Sequence, residues 1–253
     1  MPVIALISDL GYEDAAVAVA KGLFLCKLPE AVIVDITHEV RPFNTAQAGY
    51  VLKSCYESFP EGTFFVGFVD IFYREEPTLI LLEYNRRYFL MPDNAVLQLF
   101  LNAKQCEASI VKVFSGVHRL VEWVNACIDV ISGNGDKETT TIQFKDTIPT
   151  VTLDQNKIKC DVLYIDAYEN VVLNITEDEF NEYKSLGRFG LNFIQYESIT
   201  AISKNYADVR KGAKLCRFNE QGFLEISVNN GRAASLFGLR YGSPHNKIYI
   251  EFS

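Results

Sequence analysis

The sequence predicts an α/β N-terminal domain with a mostly parallel sheet, followed by a smaller all-β C-terminal domain of barrel or sandwich type. Three observations predict it. Short apolar runs alternate with helical patterns through the first half, the signature of a parallel sheet covered by helices. From Thr147 onward short β-rich runs succeed one another with a single helical insert. The chain has 253 residues, beyond the length at which one core grows usefully, about 250.

In order, Val3 to Ile7 reads as strand, Ala15 to Cys26 as helix, Val32 to Ile36 as strand, Ala46 to Phe59 as helix and Thr63 to Val69 as strand. Thr78 to Glu83 and Tyr88 to Leu90 flank Asn85-Arg86 and read as a hairpin on the same sheet. A helix from Ala95, the strand Ser109 to Phe114 and a helix from Leu120 to Ile131 close the domain. Ser132 to Thr141 is dominated by turn and polar residues. The first domain is therefore set at 1–135, a linker at 136–146 and the second domain at 147–253. In that domain Val162 to Ile165, Val171 to Leu173, Ser198 to Ile202, Lys214 to Phe218, Phe223 to Val228 and Lys247 to Phe252 read as strands. Glu177 to Ser185 reads as a helix, because Thr176 is a capping type and acidic residues follow it.

Hydrophobic residues make up 49% and charged residues 22%, an ordinary globular composition. A net charge of −8 argues against nucleic-acid and anionic-membrane surfaces, which need clustered Lys and Arg. A small, cationic ligand suits that charge better. Six scattered cysteines without a Cys-x-x-Cys pair read as reduced, buried thiols of a cytoplasmic protein. Asp9, Glu13 and Asp14 interrupt the apolar N-terminus, so it does not read as a signal peptide, and no apolar run is long enough to span a membrane.

Ligands of open α/β sheets sit at the carboxyl ends of strands. Asp9, which closes the first strand, is placed to accept hydrogen bonds from a ribose diol, or else Asp9 and Asp14 cap the helix that follows. His38 beside Glu39 suggests a metal pair, yet neighbours on a strand face opposite ways. Phe43, exposed by the turn at Pro42, suits stacking on an adenine ring or packing in the core. Asp70 ends the third strand, and His118 stands at a later strand-to-helix turn on the same edge. Asp166 and Asn170 suit the amino and carboxyl groups of an amino acid, or plain turn chemistry.

Read together, these segments resemble the S-adenosyl-L-methionine hydroxide adenosyltransferase family, relatives of the fluorinases and chlorinases. The resemblance runs from Asp9-Leu10-Gly11 with Asp14 and Lys21-Gly22, through Val34 to His38, Phe59 to Thr63 and Pro92-Asp93-Asn94, to Glu225-Ile226 and Asn229 to Ala234. It implies hydrolysis of S-adenosyl-L-methionine to adenosine and L-methionine by water attack at the ribose C5′, with no cofactor besides the substrate. It also implies a homotrimer whose sites lie between the N-domain of one subunit and the C-domain of its neighbour. Asp9 then holds the ribose hydroxyls, with Asp14 beside it, and Phe43 lines the adenosyl pocket. Asp166, Tyr168 and Asn170 surround the methionine part, Asn219 stands before the adenine-binding turn, and Asn229 is a further substrate-binding residue. Asp70 and His118 match two members of a water-activating Asp, Arg, His triad.

The departures are specific. The family's Asp-Pro-Gly-Val-Gly loop and following arginine read here Asp70-Ile71-Phe72-Tyr73-Arg74-Glu75-Glu76-Pro77, so Pro77 holds the arginine position and Arg74 is the nearby substitute. The usual His-Gly-Arg-Asp is His118-Arg119-Leu120-Val121, and the usual Asn-Ser is Asn219-Glu220. These changes keep a second expectation open, a member that binds S-adenosyl-L-methionine or adenosine without turnover. The chain also lacks room for the insertion of the halogenase branch.

Overall fold

The computed structural model describes every residue except 74, 104, 117, 135–137, 145–150, 155, 185–186 and 195–196. The chain divides into two units, Met1–Ile148 and Pro149–Ser253.

The first unit comprises β1 (Val3–Ser8), α1 (Ala16–Lys27), β2 (Val32–Thr37), α2 (Thr45–Cys55), β3 (Phe64–Phe68), β4 (Thr78–Tyr84), β5 (Arg87–Pro92), α3 (Ala95–Leu101), β6 (Gln105–Val113), α4 (Leu120–Ile131) and β7 (Glu138–Gln143). Its seven strands lie in the order β2-β1-β3-β5-β4-β6-β7. Both faces of the sheet are buried, which is why β1 is apolar without alternation. Ile4 and Leu6 pack with Phe24, Trp123 and Cys127 of α1 and α4, while Ala5 and Ile7 pack with Leu52, Val96 and Phe100 of α2 and α3. Helix α3 starts at Asn94, whose Oδ1 accepts the Val96 N–H at 3.1 Å and whose Nδ2 donates to the Val69 carbonyl at 3.0 Å.

Two expectations change here. The sheet is mixed rather than mostly parallel: β2, β1, β3 and β5 run parallel, but every pairing from β5 through β4 and β6 to β7 is antiparallel. The hairpin at Asn85-Arg86, both in the left-handed region at φ 48 and 58, reverses the chain between β4 and β5 and makes that pair antiparallel. The expected linker 136–146 also contains β7, which pairs with β6 from Gln105↔Gln143 to Ile110↔Glu138. Thr139, Thr140 and Thr141 are polar, but β-branched side chains suit an edge strand with one wet face.

The second unit comprises β8 (Thr152–Asp154), β9 (Lys157–Cys160), β10 (Val162–Ile165), β11 (Val171–Thr176), α5 (Glu177–Lys184), β12 (Phe189–Ile194), β13 (Glu197–Ile199), β14 (Lys214–Phe218), β15 (Phe223–Val228), α6 (Ala233–Phe237) and β16 (Ile248–Phe252). They form two antiparallel sheets, β10-β11-β15-β14 and β13-β12-β16-β9-β8. Val171, Leu173, Leu224 and Ile226 of the first sheet share one core with Ile158, Leu191, Ile248 and Ile250 of the second. All six cysteines are free; Cys127, Cys160 and Cys216 are buried, but Cys26 is exposed, contrary to the expectation of buried thiols. Among the described residues no helix is long and apolar enough to cross a membrane.

Candidate active site

In the first unit, the carboxyl edge of the parallel strands gathers Asp9, Phe43 and Asp70. Asp9 follows β1, and its Oδ2 accepts the N–H of Phe43 at 2.9 Å and the N–H of Asp70 at 3.2 Å. One carboxylate oxygen thereby ties together the loops after β1, β2 and β3. Both donors belong to residues with left-handed backbone, Phe43 at φ 65 and Asp70 at φ 54. That conformation costs a non-glycine residue about 1–2 kcal/mol, and strain of this kind collects at functional sites. Burial pushes the Asp9 carboxyl above its ordinary range, outweighing the two main-chain hydrogen bonds that pull it down.

Exposed aromatic rings rim this edge. Phe43 is 53% exposed and meets Tyr73 edge to face at 4.9 Å between ring centroids. Phe72, 41% exposed, lies parallel to His118 at 6.3 Å. His118 itself faces main-chain oxygens: Nε2 is 2.7 Å from the Ile71 carbonyl and Nδ1 is 3.2 Å from the Gly116 carbonyl. It therefore reaches the residue directly after Asp70 and braces that loop. Asp14 accepts the Ala16 N–H at 2.8 Å, the helix-start bond that the sequence left as one of two readings. Arg74 lies outside the described residues.

In the second unit, Asp166 organises its own turn. Its Oδ1 accepts the N–H groups of Tyr168 and Asn170 at 2.9 and 2.8 Å, and its Oδ2 accepts from Asn170 Nδ2 at 2.9 Å. Tyr168 is left 77% exposed, whereas Asn170 is buried. Asn219 Oδ1 accepts the N–H groups of Gln221 and Phe223, closing the β14–β15 turn, and Asn229 donates to the Val209 carbonyl at 2.7 Å. Turn chemistry thus engages the side chains of Asp166, Asn170, Asn219 and Asn229.

Sequence reasoning assigned neither of two further carboxylates to the site. Glu169, at φ 63, pairs with Arg232 at 3.1 Å and accepts the Ser235 N–H at 2.9 Å, which fastens the 166–170 turn to α6. The bonds from Ser235 hold its carboxyl below the ordinary range, with Arg232 adding to the effect. Glu225 is buried in β15 and accepts from the Tyr206 and Ser227 hydroxyls at 2.9 and 2.6 Å. Burial raises its carboxyl despite those bonds. The signal for Glu225 was present, a single carboxylate inside the apolar run FLEISV. Glu169 carries no such signal, because its partners lie more than 60 residues away.

The model of the SAM hydroxide adenosyltransferase N-terminal domain matches residues 4–126, and that of the C-terminal domain matches residues 160–246. The chain belongs to the SAM hydroxide adenosyltransferase family. Among relatives, the (R)-S-adenosyl-L-methionine hydrolase of Methanocaldococcus jannaschii is 26% identical across 98% of this chain and 97% of its own. The fluorinase of Nocardia brasiliensis is 42% identical over 64 residues, 25% of this chain and 21% of that one. A crystal structure of an uncharacterized conserved protein from Thermotoga maritima superimposes with a TM-score of 0.76 at 25% identity, covering 99% of this chain and all of that one. Both halves of the chain, and their order, are those of the family.

Proposed function

We propose that this protein hydrolyses S-adenosyl-L-methionine to adenosine and L-methionine. The observation that carries the reading is the Asp9 carboxylate, which draws Phe43 and Asp70 to one strand edge in a chain of this family. Likeness to the methanogen hydrolase extends over nearly the whole of both chains, whereas likeness to the fluorinase covers a quarter of this one.

In the proposed reaction a water oxygen attacks the ribose C5′ in line with the sulfonium. The C5′–S bond breaks, its electron pair leaves with methionine as a neutral thioether, and the water proton passes through Asp70 to solvent. The positive sulfur already makes a good leaving group, so the protein's task is to hold a desolvated water in line. No metal or redox cofactor enters this chemistry. Asp9 accepts the ribose hydroxyls and Phe43 offers its exposed ring to the adenosyl group. Asp70 orients the water while His118, bound to the Ile71 carbonyl, fixes the loop that carries Asp70. Arg74 supplies positive charge in place of the arginine replaced by Pro77. Asp14, Asp166, Tyr168, Asn170, Asn219 and Asn229 complete the substrate contacts, with the methionine part on the turn of Asp166. The subunits form a cytoplasmic homotrimer with shared sites, a reading supported by the division of these residues between two units and by β2, an outer strand whose Val32 is exposed.

The altered loop after Asp70 favours a second reading, binding without turnover. A substitution at Asp70 tests the hydrolytic reading. Asparagine tolerates a left-handed backbone and is isosteric with aspartate, so Asp70→Asn preserves the loop while removing the base. Adenosine release should fall by about 10²–10⁴-fold with substrate affinity retained. Equal release by the variant and the wild type would remove Asp70 from the chemistry.

A further inference from the structure

Behind the Asp9 turn runs a line of polar side chains that the proposed reaction does not use. Ser8 and His38 are buried at 0% and 1% exposure, 30 residues apart, with Ser8 Oγ 2.6 Å from His38 Nδ1. The Leu10 N–H donates to Ser8 Oγ at 3.3 Å, and the Gly11 N–H donates to the His38 carbonyl at 2.8 Å. At the outer end His38 Nε2 lies 3.2 Å from Asp35 Oδ1, a close polar contact short of a formed hydrogen bond. Asp35 Oδ2 in turn takes Lys21 Nζ at 2.6 Å and the Tyr12 hydroxyl at 3.3 Å. The Tyr12 ring stands edge-on to the imidazole at 5.3 Å.

A serine, a histidine and an aspartate in contact suggest a nucleophilic triad, but the geometry excludes one. A triad serine must present its oxygen to a substrate, and Ser8 is fully enclosed between the imidazole and the Leu10 N–H. One tautomer satisfies the inner part of the line, from Leu10 to His38 Nδ1. With the proton on Nε2 toward Asp35, Nδ1 accepts the Ser8 hydroxyl, and Ser8 Oγ accepts the Leu10 N–H. The Leu10 N–H and the Ser8 hydroxyl then point outward from the turn containing Asp9, while Lys21 and Tyr12 donate to Asp35 from the other end. Buried networks that are satisfied in this way rigidify what they touch, and what this one touches is the backbone on both sides of Asp9.

We propose that Ser8, His38 and Asp35 form a positioning relay that sets the Asp9 carboxylate in its ligand-binding orientation. The proposal rests on reading Asp9 as the group that holds the ribose. Calorimetric titration with adenosine tests it, using Asp9→Ala as the reference variant. Ser8→Ala and His38→Leu should each weaken adenosine binding about fivefold to tenfold, the scale of one broken buried hydrogen bond. The double variant should lose no more than either single one, because the relay is interrupted once in every case. His38→Asn, which returns an acceptor near the Nδ1 position, should recover most of the affinity. Asp35→Ala alters a residue near the surface and keeps the core intact, so it tests the relay even if His38→Leu fails to fold; it should weaken binding about twofold to threefold. If Asp9→Ala loses affinity while Ser8→Ala and Asp35→Ala retain it, the relay is wrong and the ribose assignment stands. Additive losses in the double variant overturn the relay in favour of simple packing. If Asp9→Ala itself binds adenosine as the wild type does, the ribose assignment falls and the relay falls with it.

Discussion

The raised carboxyl of Asp9 has a consequence for binding. An ionised carboxylate accepts hydrogen bonds from a diol more strongly than a protonated carboxyl does, so adenosine affinity should decline as pH falls, beginning above the range of an ordinary aspartate. Asp9→Asn should bind adenosine about tenfold more weakly and without that pH dependence; a variant curve that tracks the wild type would assign the titration elsewhere. His38 acts on stability in a definite sense. Burial lowers its pKa, so between that value and 6.5 the folded chain binds fewer protons than the unfolded one, and the contribution is lost as pH falls. The sequence made Asp9, Asp70 and His118 legible because strand ends in an α/β sheet face the crevice. It did not show that His38 meets Ser8, since nothing in a local pattern reports a contact across 30 residues. The opposite facing of His38 and Glu39 was readable although both lie just past the end of β2: His38 is buried and Glu39 exposed.

At the scale of elements, Asn94 couples a helix start to the Asp70 loop. Its side chain caps α3 and at the same time holds the carbonyl of Val69, the residue before Asp70. Asn94→Ala removes a cap and leaves a buried carbonyl unpaired, so denaturant unfolding should show a loss of about 1–3 kcal/mol. A loss below about 0.5 kcal/mol, the scale of an ordinary surface substitution, would mean that neither bond matters to the fold. The sequence marked the start of α5, where Thr176 and Glu179 form a reciprocal capping box. It read β1, β2 and α4 closely as well, since their apolar periods are strong. It lost β7, because Gly-Asn-Gly-Asp turn signals overshadow the threonines that follow, and β12, whose run is interrupted by Gly190 and Asn192.

The molecule as a whole has its candidate residues in two units, Asp9, Phe43 and Asp70 in one and Asp166, Asn170 and Asn229 in the other. The proposed site shared between subunits would explain that division, and it predicts a particle mass about three times that of the 28.6 kDa chain in light scattering at micromolar concentration. A monomer that binds adenosine fully would contradict it. The net charge of −8 leaves room for a cationic substrate and disfavours a polyanion. The most direct measurement is incubation of the purified protein with S-adenosyl-L-methionine, followed by chromatography of the products against a protein-free control at the same pH. Adenosine and methionine released in equal amounts, above the control and in proportion to protein, is the predicted result. Bound but unaltered S-adenosyl-L-methionine, with no adenosine beyond the control, would contradict hydrolysis and leave a binding protein in its place.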